Sequence, residues 1–488
     1  MRFLSTLLLS VLCCVLVAQK PPSPKEVENY LDAFAANQLD AFKIPGLSIG
    51  VIHNGEVIYA KSFGLQSVVT EAPMTTKSLF HMASVSKPFV ATALVIAEAE
   101  GLLGLDDKLV DHLPYFKMAT PAYKKITLRQ MLTHTSGIPD VEDYDWGNPD
   151  VSDAAVEAYS KSFAEVELDF PPGTDNRYSN AAFDLLADVI MKTSGMTFEE
   201  YVSTRILKPI GMEESAFAKP AIDPALATDS HISTDALEIG VNPIYPYNRI
   251  HAPSSSLHSN VDDMLRWAKL YLGKGEIDGN TILSSAQYEA LTTVNYQPKK
   301  GTPVCLSWFK AKAHGDDFYV HSGGDPGYRT FFGFIPAQGY AVTVMGNSDL
   351  ARSSQLAGII TAYVLKGKER DWPKPPIHLG IGKIMLREGI TAFREAWERE
   401  ANANPLKYEV EPHYLDDLGY HLIDSGHPDK AVDVFKFMVE LEPKEAGWYD
   451  SVGDAYRALD NTEAARKWYT IASEKGFAPS LEKLKELE

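Results

Sequence analysis

Apolar residues recur at helical spacing over residues 24–43, which predicts an amphipathic helix. Residues 47–53 and 56–60 then read as two strands. Asn54-Gly55 joins them, a pair whose tolerance of positive φ suits a two-residue hairpin turn. Residues 84–100 are apolar on most faces and predict a buried helix ended by Gly101. Pro88 falls in about its first turn, where the missing N–H costs little. From about residue 105 to 290, helical patterns and loops dominate. Strand-like alternation returns at 304–310, 317–321, 330–335 and 341–345, and 354–366 predicts a closing helix. Strands, a helical insert and strands again make an α+β pattern.

Residues 369–376 contain Asp371-Trp372-Pro373-Lys374-Pro375-Pro376, so 368–377 reads as a linker between a unit at 24–367 and a tail at 378–488. The tail repeats. Leu418-Gly419, Ala431 and Phe435 return as Val452-Gly453, Ala465 and Tyr469, each 34 positions on, and Pro443 closes the first copy. That is the tetratricopeptide period, with 381–399 as a degenerate earlier copy. The expectation is a tetratricopeptide-like helical domain with a protein partner; the alternative is a plain helical tail packed on the first unit.

Arg2 followed by an apolar stretch at 7–17 reads as a signal peptide over residues 1–18, so a secreted or periplasmic protein is expected, with no membrane span in the mature chain. Cys13 and Cys14 would leave with the leader. Only Cys305 would remain, and no intramolecular disulfide could form. The formal charge of −19 disfavours nucleic acid or anionic lipid as a partner.

The chemistry starts at Ser84, three residues before Lys87, where residues on a helix share a face. A serine hydroxyl is a poor nucleophile until a neighbour takes its proton, and a partly neutral amine can do so. This S-x-x-K pattern also occurs at Ser307–Lys310 and Ser480–Lys483. Ser84 differs in its company. Tyr178-Ser179-Asn180 is the chain's one Y-x-N, and His321-Ser322-Gly323-Gly324 follows. H-x-G recurs at His53-Asn54-Gly55, in the hairpin, and at His378-Leu379-Gly380, where the tail starts. Gly46-Leu47-Ser48-Ile49-Gly50 matches the G-x-S-x-G elbow, but that motif needs a helix after the turn and a hairpin follows here.

Taken with Met131-Leu132-Thr133-His134-Thr135-Ser136-Gly137-Ile138-Pro139 and Pro172-Gly173, these motifs resemble the family of class C β-lactamases, D-peptidases and related esterases over roughly residues 25–367. The resemblance implies an antiparallel sheet with terminal helices on one face and an inserted all-helical lobe on the other. It also implies an acyl-enzyme on Ser84, with Lys87 and Tyr178 as a coupled proton acceptor. Asn180 would face Lys87 and the acyl carbonyl, or cap a helix. His321, Gly323 and Gly324 would line the substrate strand, and the N–H groups of Ser84 and Gly324 would form the oxyanion hole. Ser136 and His134 read as residues shaping the lobe.

The chain departs from the family at three places. His321 stands where β-lactamases more often carry lysine, and histidine is mostly neutral at pH 7. Arg329 reads as a surface arginine rather than a replacement for that charge. Ala252-Pro253-Ser254-Ser255-Ser256-Leu257 replaces paired glycines, and Cys305, read as a packed strand residue, replaces another glycine. There is no H-E-x-x-H and no Cys/His cluster, so neither metal nor cofactor is expected. The leading expectation is an exported serine hydrolase acting on a small ester or a short peptide with a D-residue. A β-lactamase is the alternative within that class. A non-catalytic module that recognises cell-wall fragments, with the tail recruiting a partner, is the alternative outside it.

Overall fold

The computed structural model describes residues 21–403 and 407–487; the expected leader lies outside them. Ser23 opens the first helix, α1 (Pro24–Phe42), with a capping box: it accepts from the Glu26 N–H, and Glu26 accepts from the Ser23 N–H at 2.7 Å. Strands β1 (Gly46–His53) and β2 (Glu56–Gly64) follow as a hairpin. Asn54 and Gly55 both take positive φ at its turn, 53° and 81°, as the dipeptide predicted. The helical insert includes α2 (Lys87–Ala99), α3 (Asn180–Ser194) and α4 (Val261–Leu272). The chain then returns as β3 (Phe309–Ala313), β4 (Asp316–Asp325), β5 (Tyr328–Ile335) and β6 (Tyr340–Gly346), and closes with α5 (Ser353–Lys366).

The six strands form one antiparallel sheet in the order β2-β1-β6-β5-β4-β3, so the N-terminal hairpin is completed by the last strand. Alternation decides the two faces. Ile49, Val51, Val342 and Val344 pack under Leu31 and Phe34 of α1 and Ile360 and Val364 of α5. The opposite face, with Ile52, Phe332, Phe334 and Met345, packs against the helical lobe.

One strand differs from its expectation. Residues 304–310 do not form it; β3 starts at Phe309. Ser307 takes φ +69, and the Cys305 N–H donates to Trp308 O at 2.8 Å, so the chain makes a tight turn there. Residues 304–308 are all buried, and a short, fully buried apolar run does not announce its backbone by periodicity. Cys305 is packed, as expected, but in that turn rather than a strand. Its thiol donates to Thr292 O at 3.3 Å, and burial pushes it up to about 12.

The tail is helical: α6 (Ile377–Glu388), α7 (Ile390–Ala403), α8 (Tyr414–Asp424), α9 (Pro428–Leu441), α10 (Ala446–Ala458), α11 (Thr462–Glu474) and α12 (Pro479–Glu486). The repeated residues make repeated contacts. A Cβ on Gly419 would lie 2.1 Å from the Phe435 ring, and one on Gly453 2.4 Å from the Tyr469 ring. Glycine lets the paired helices approach to ring contact in both copies. Residues 368–376 carry no regular element but pack on the body. The Trp372 indole N–H donates to Tyr30 at 3.0 Å, and its ring sits 5.5 Å from Phe34. A loop of the body reaches the tail: Leu237 joins the tail's core, and Glu238 pairs with Lys383 at 3.0 Å.

Candidate active site

Residues 78–97 are buried throughout except for Ser84. The turn that presents Ser84 is a 3₁₀ turn, Ala83–Ser86, running into α2, so the helix starts three residues later than the sequence pattern implied. The spacing still works, because residues i and i+3 eclipse in a 3₁₀ turn. Lys87 Nζ lies 3.0 Å from Ser84 Oγ. Ala83 holds φ +48, a left-handed conformation that costs a residue with a Cβ about 1 kcal/mol. Neighbours fix it: Thr330 Oγ1 donates to Met82 O at 2.7 Å, the Met82 N–H donates to Leu257 O at 2.7 Å, and the Leu257 N–H donates to Ser86 Oγ at 2.9 Å.

Lys87 is wholly buried. Its ammonium donates to Ser254 O at 2.8 Å, to Asn180 Oδ1 at 2.5 Å and to Ser84 Oγ. Burial pulls its pKa down to about 8, against the charges of Asp184, Asp325 and Asp140. The Tyr178 ring lies under it, 4.9 Å from Nζ to centroid. Burial pushes the Tyr178 phenol well above its ordinary value, and a hydrogen bond with Ser84 opposes that. Tyr178 therefore stays protonated, which makes Lys87 the member of the pair able to lose a proton near neutrality.

Asn180 is the first residue of α3. Ser179 is its cap, accepting from the Ala182 N–H at 3.0 Å, so Asn180 is freed from capping. Its amide turns Oδ1 to Lys87 and Nδ2 to Asp140, the latter at 3.3 Å. His134 holds φ +56 and stacks on Tyr178 at 4.2 Å, and its Nδ1 accepts from the Ser179 N–H at 3.2 Å. It thus backs the Tyr178 segment, consistent with a shaping role. Ser136 caps its own loop, accepting from the Ile138 N–H.

Strand β4 forms the opposite wall. It pairs with β3 only as far as Val320, so residues 321–325 have an open outer edge. Asp325 and Tyr328 flank the two-residue loop Pro326-Gly327 and form a hydrogen-bonded pair; alternation from there points the N–H groups of Ser322 and Gly324 to the open edge. Gly323 lies on the inner face, where a Cβ would meet Met82 O at 2.3 Å. Glycine is what lets the strand close on the Ser84 turn. His321 is buried, donates from Nδ1 to Ser322 O at 2.8 Å, and is held down to about 3 by burial and by Lys87. It is therefore neutral at pH 7. Arg329 is tied to Asp349 at 2.8 Å and to the Asp325 carbonyl at 2.8 Å, so it does not supply the missing charge. Ser48 lies within β1, its hydroxyl 2.7 Å from Ser62 across the hairpin, away from this site.

Sequence reasoning missed a carboxylate layer. Asp184, one turn after Asn180 on α3, accepts from the Ser254 N–H at 3.1 Å and from His251 Nδ1 at 2.7 Å, and so fixes the carbonyl that holds Lys87. Asp325 accepts from His81 Nε2 at 2.7 Å and from Ser255. One signal existed: the run 181–190 is apolar but for Asp184 and Asp188, the first of them four residues after Asn180.

The chain is similar to Protein flp of Staphylococcus aureus, 27% identical over 66% of this chain and 63% of that protein, so it spans less than two thirds of this relative. It is similar to Penicillin-binding protein 4* of Bacillus subtilis, 26% identical over 69% of this chain and 79% of that one. Among solved structures it resembles the octameric penicillin-binding protein homologue from Pyrococcus abyssi, with a TM-score of 0.60, 27% identity, and coverage of 70% of this chain and 78% of that one. The family model described as Beta-lactamase matches residues 31–362, more than half of the chain, and the chain belongs to that family.

Proposed function

We propose that this protein is an exported serine hydrolase that forms an acyl-enzyme on Ser84, with a small ester or a short peptide containing a D-residue as substrate. The observation that carries this reading is the wholly buried Lys87 amine, 3.0 Å from the one accessible side chain of its segment and brought down to about 8. In the first step neutral Lys87 takes the Ser84 proton while Oγ bonds to the carbonyl carbon. The oxyanion that forms is met by the N–H groups of Ser84 and Gly324; removing one such donor costs roughly 3 kcal/mol in other hydrolases. As the bond to the leaving group breaks, the proton returns to that group through the Tyr178 hydroxyl, and Lys87 reprotonates Tyr178. Water then attacks the acyl carbon, and Ser84 leaves with a proton. Asn180 holds Lys87 and the acyl carbonyl, and His321 and Gly323 line the strand.

The neutral His321 and the ring of carboxylates around Lys87 weigh against β-lactams, which bring a carboxylate beside the scissile bond. The tail reads as a tetratricopeptide-like unit for a protein partner, supported by the repeated glycine–ring contacts. Labelling with a fluorophosphonate, followed by peptide mass mapping, tests the chemistry. The expected adduct is on Ser84. An adduct elsewhere, or undiminished labelling of Ser84→Ala, refutes it.

A further inference from the structure

The loop 140–151 starts at the site and leaves it. Asp140 accepts from the Asn180 N–H at 2.6 Å. Tyr144 lies edge-on to His251 at 4.8 Å and stacks on Trp146 at 4.7 Å. Trp146 then lines a separate cavity of about 520 Å³, together with Pro149, Lys219, Ile244, Tyr245 and Tyr247. The opposite wall also leads back. Tyr245 OH lies 3.0 Å from His258 Nε2, and the Tyr245 ring sits 6.2 Å from His81, the residue bound to Asp325.

Among the described residues, Lys219 is the one charged residue lining this cavity. Its ammonium sits 3.2 Å over the Tyr245 ring centroid, with no hydrogen bond or ion pair to any described residue. Burial pulls its pKa down, opposed by the charge of Asp229. A half-buried cation held only by an aromatic ring, with no carboxylate in hydrogen-bond reach among the described residues, is a site for an anion. A single ammonium with no second cation suits one carboxylate rather than a phosphate. The charges at Ser84 agree: Asp140, Asp184 and Asp325 all act on Lys87, so an anionic end is better placed away from the scissile bond.

We propose that this cavity is a binding site for an aromatic or apolar group bearing a carboxylate, seated among Trp146, Ile244 and Tyr247 with its carboxylate on Lys219. Calling that ligand the distal end of the substrate rests on the hydrolase reading; the binding itself does not. Calorimetry on the full chain with 4-phenylbutyrate and with its carboxamide tests it. The acid is expected to bind about tenfold tighter than the amide. Lys219→Met and Lys219→Gln should both abolish that difference, and Trp146→Ala should weaken both ligands, with a melting curve reporting that each variant is folded. Ser84→Ala should bind as the wild type does. Equal affinity for acid and amide, discrimination that survives both Lys219 variants, or no binding of either ligand overturns the proposal. Binding without any acylation of Ser84 would remove the hydrolase reading and leave this one standing. Acylation without binding would do the reverse.

Discussion

Replacing Asp140 by asparagine should make the protein a better catalyst in mild acid. At a pKa of about 8, roughly one Lys87 amine in eleven is neutral at pH 7, against about one in three thousand for an ordinary lysine. Three carboxylates hold that value up. Asp140 is the exposed one, linked to Lys87 through the Asn180 amide by contacts of 3.3 and 2.5 Å. That path puts its charge about 7 Å from Nζ, where an effective dielectric of 40–80 gives roughly 0.6–1.2 kcal/mol, or about half to nearly one pH unit. Removing a negative charge favours the neutral amine, so the pKa falls. Asparagine keeps an oxygen for the Asn180 N–H. The measurement is kcat/KM for 4-nitrophenyl acetate from pH 5.5 to 9.5 at low salt. The wild type should rise through a limb near pH 8. Asp140→Asn should shift that limb down by about half to one unit and lower the plateau two- to threefold because a weaker base removes the proton, so the neutral fraction at pH 6.5 rises about three- to eightfold and the rate there by about 1.5- to threefold. A limb that stays in place or moves upward would refute Lys87 as the titrating base.

Three further outcomes follow from the same contacts. Lys87→Met should stabilise the fold at pH 7 by up to about 3 kcal/mol, the cost of holding a lysine 2.5 units low, less the bonds lost to Ser254 O and Asn180. The sign follows from the depressed pKa: the cost is full below pH 8 and fades as pH rises to about 10.5, so the gap in melting temperature between variant and wild type should close over that window, and a constant gap would contradict it. Asp184→Ala removes the acceptor for Ser254 N–H and should lower kcat about 10–100-fold with KM changed less than threefold, since it loosens Lys87 rather than the substrate; an effect confined to KM would count against that role. A chain ending at Pro376 should melt above one ending at Lys368, by roughly 2 kcal/mol, because only the longer keeps Trp372 on Tyr30 and Phe34; equal melting would show that this contact contributes nothing.

The sequence by itself determined the elements and the order of the chemistry. Asn54-Gly55 needed only its own backbone preference to make the hairpin, and the 34-residue period in the tail carried its glycine–ring contacts with it. Ser84 and Lys87 meet through a single turn, so their pairing was local and legible. Tyr178, Asn180 and Gly323 were legible as residue types in order, through the family they resemble. Only the tertiary structure decided what they face. Ser254 gives its carbonyl to Lys87 because a short helix 167 residues away packs there, and Asp184 fixes that helix. Asp325, Asp140 and the neutral His321 set the charge of the cleft through space. Desolvation is likewise a property of everything packed around an atom, not of its neighbours in sequence. The turn at 304–308 eluded the pattern for a related reason: once both sides of a segment are buried, alternation no longer marks which way the backbone runs.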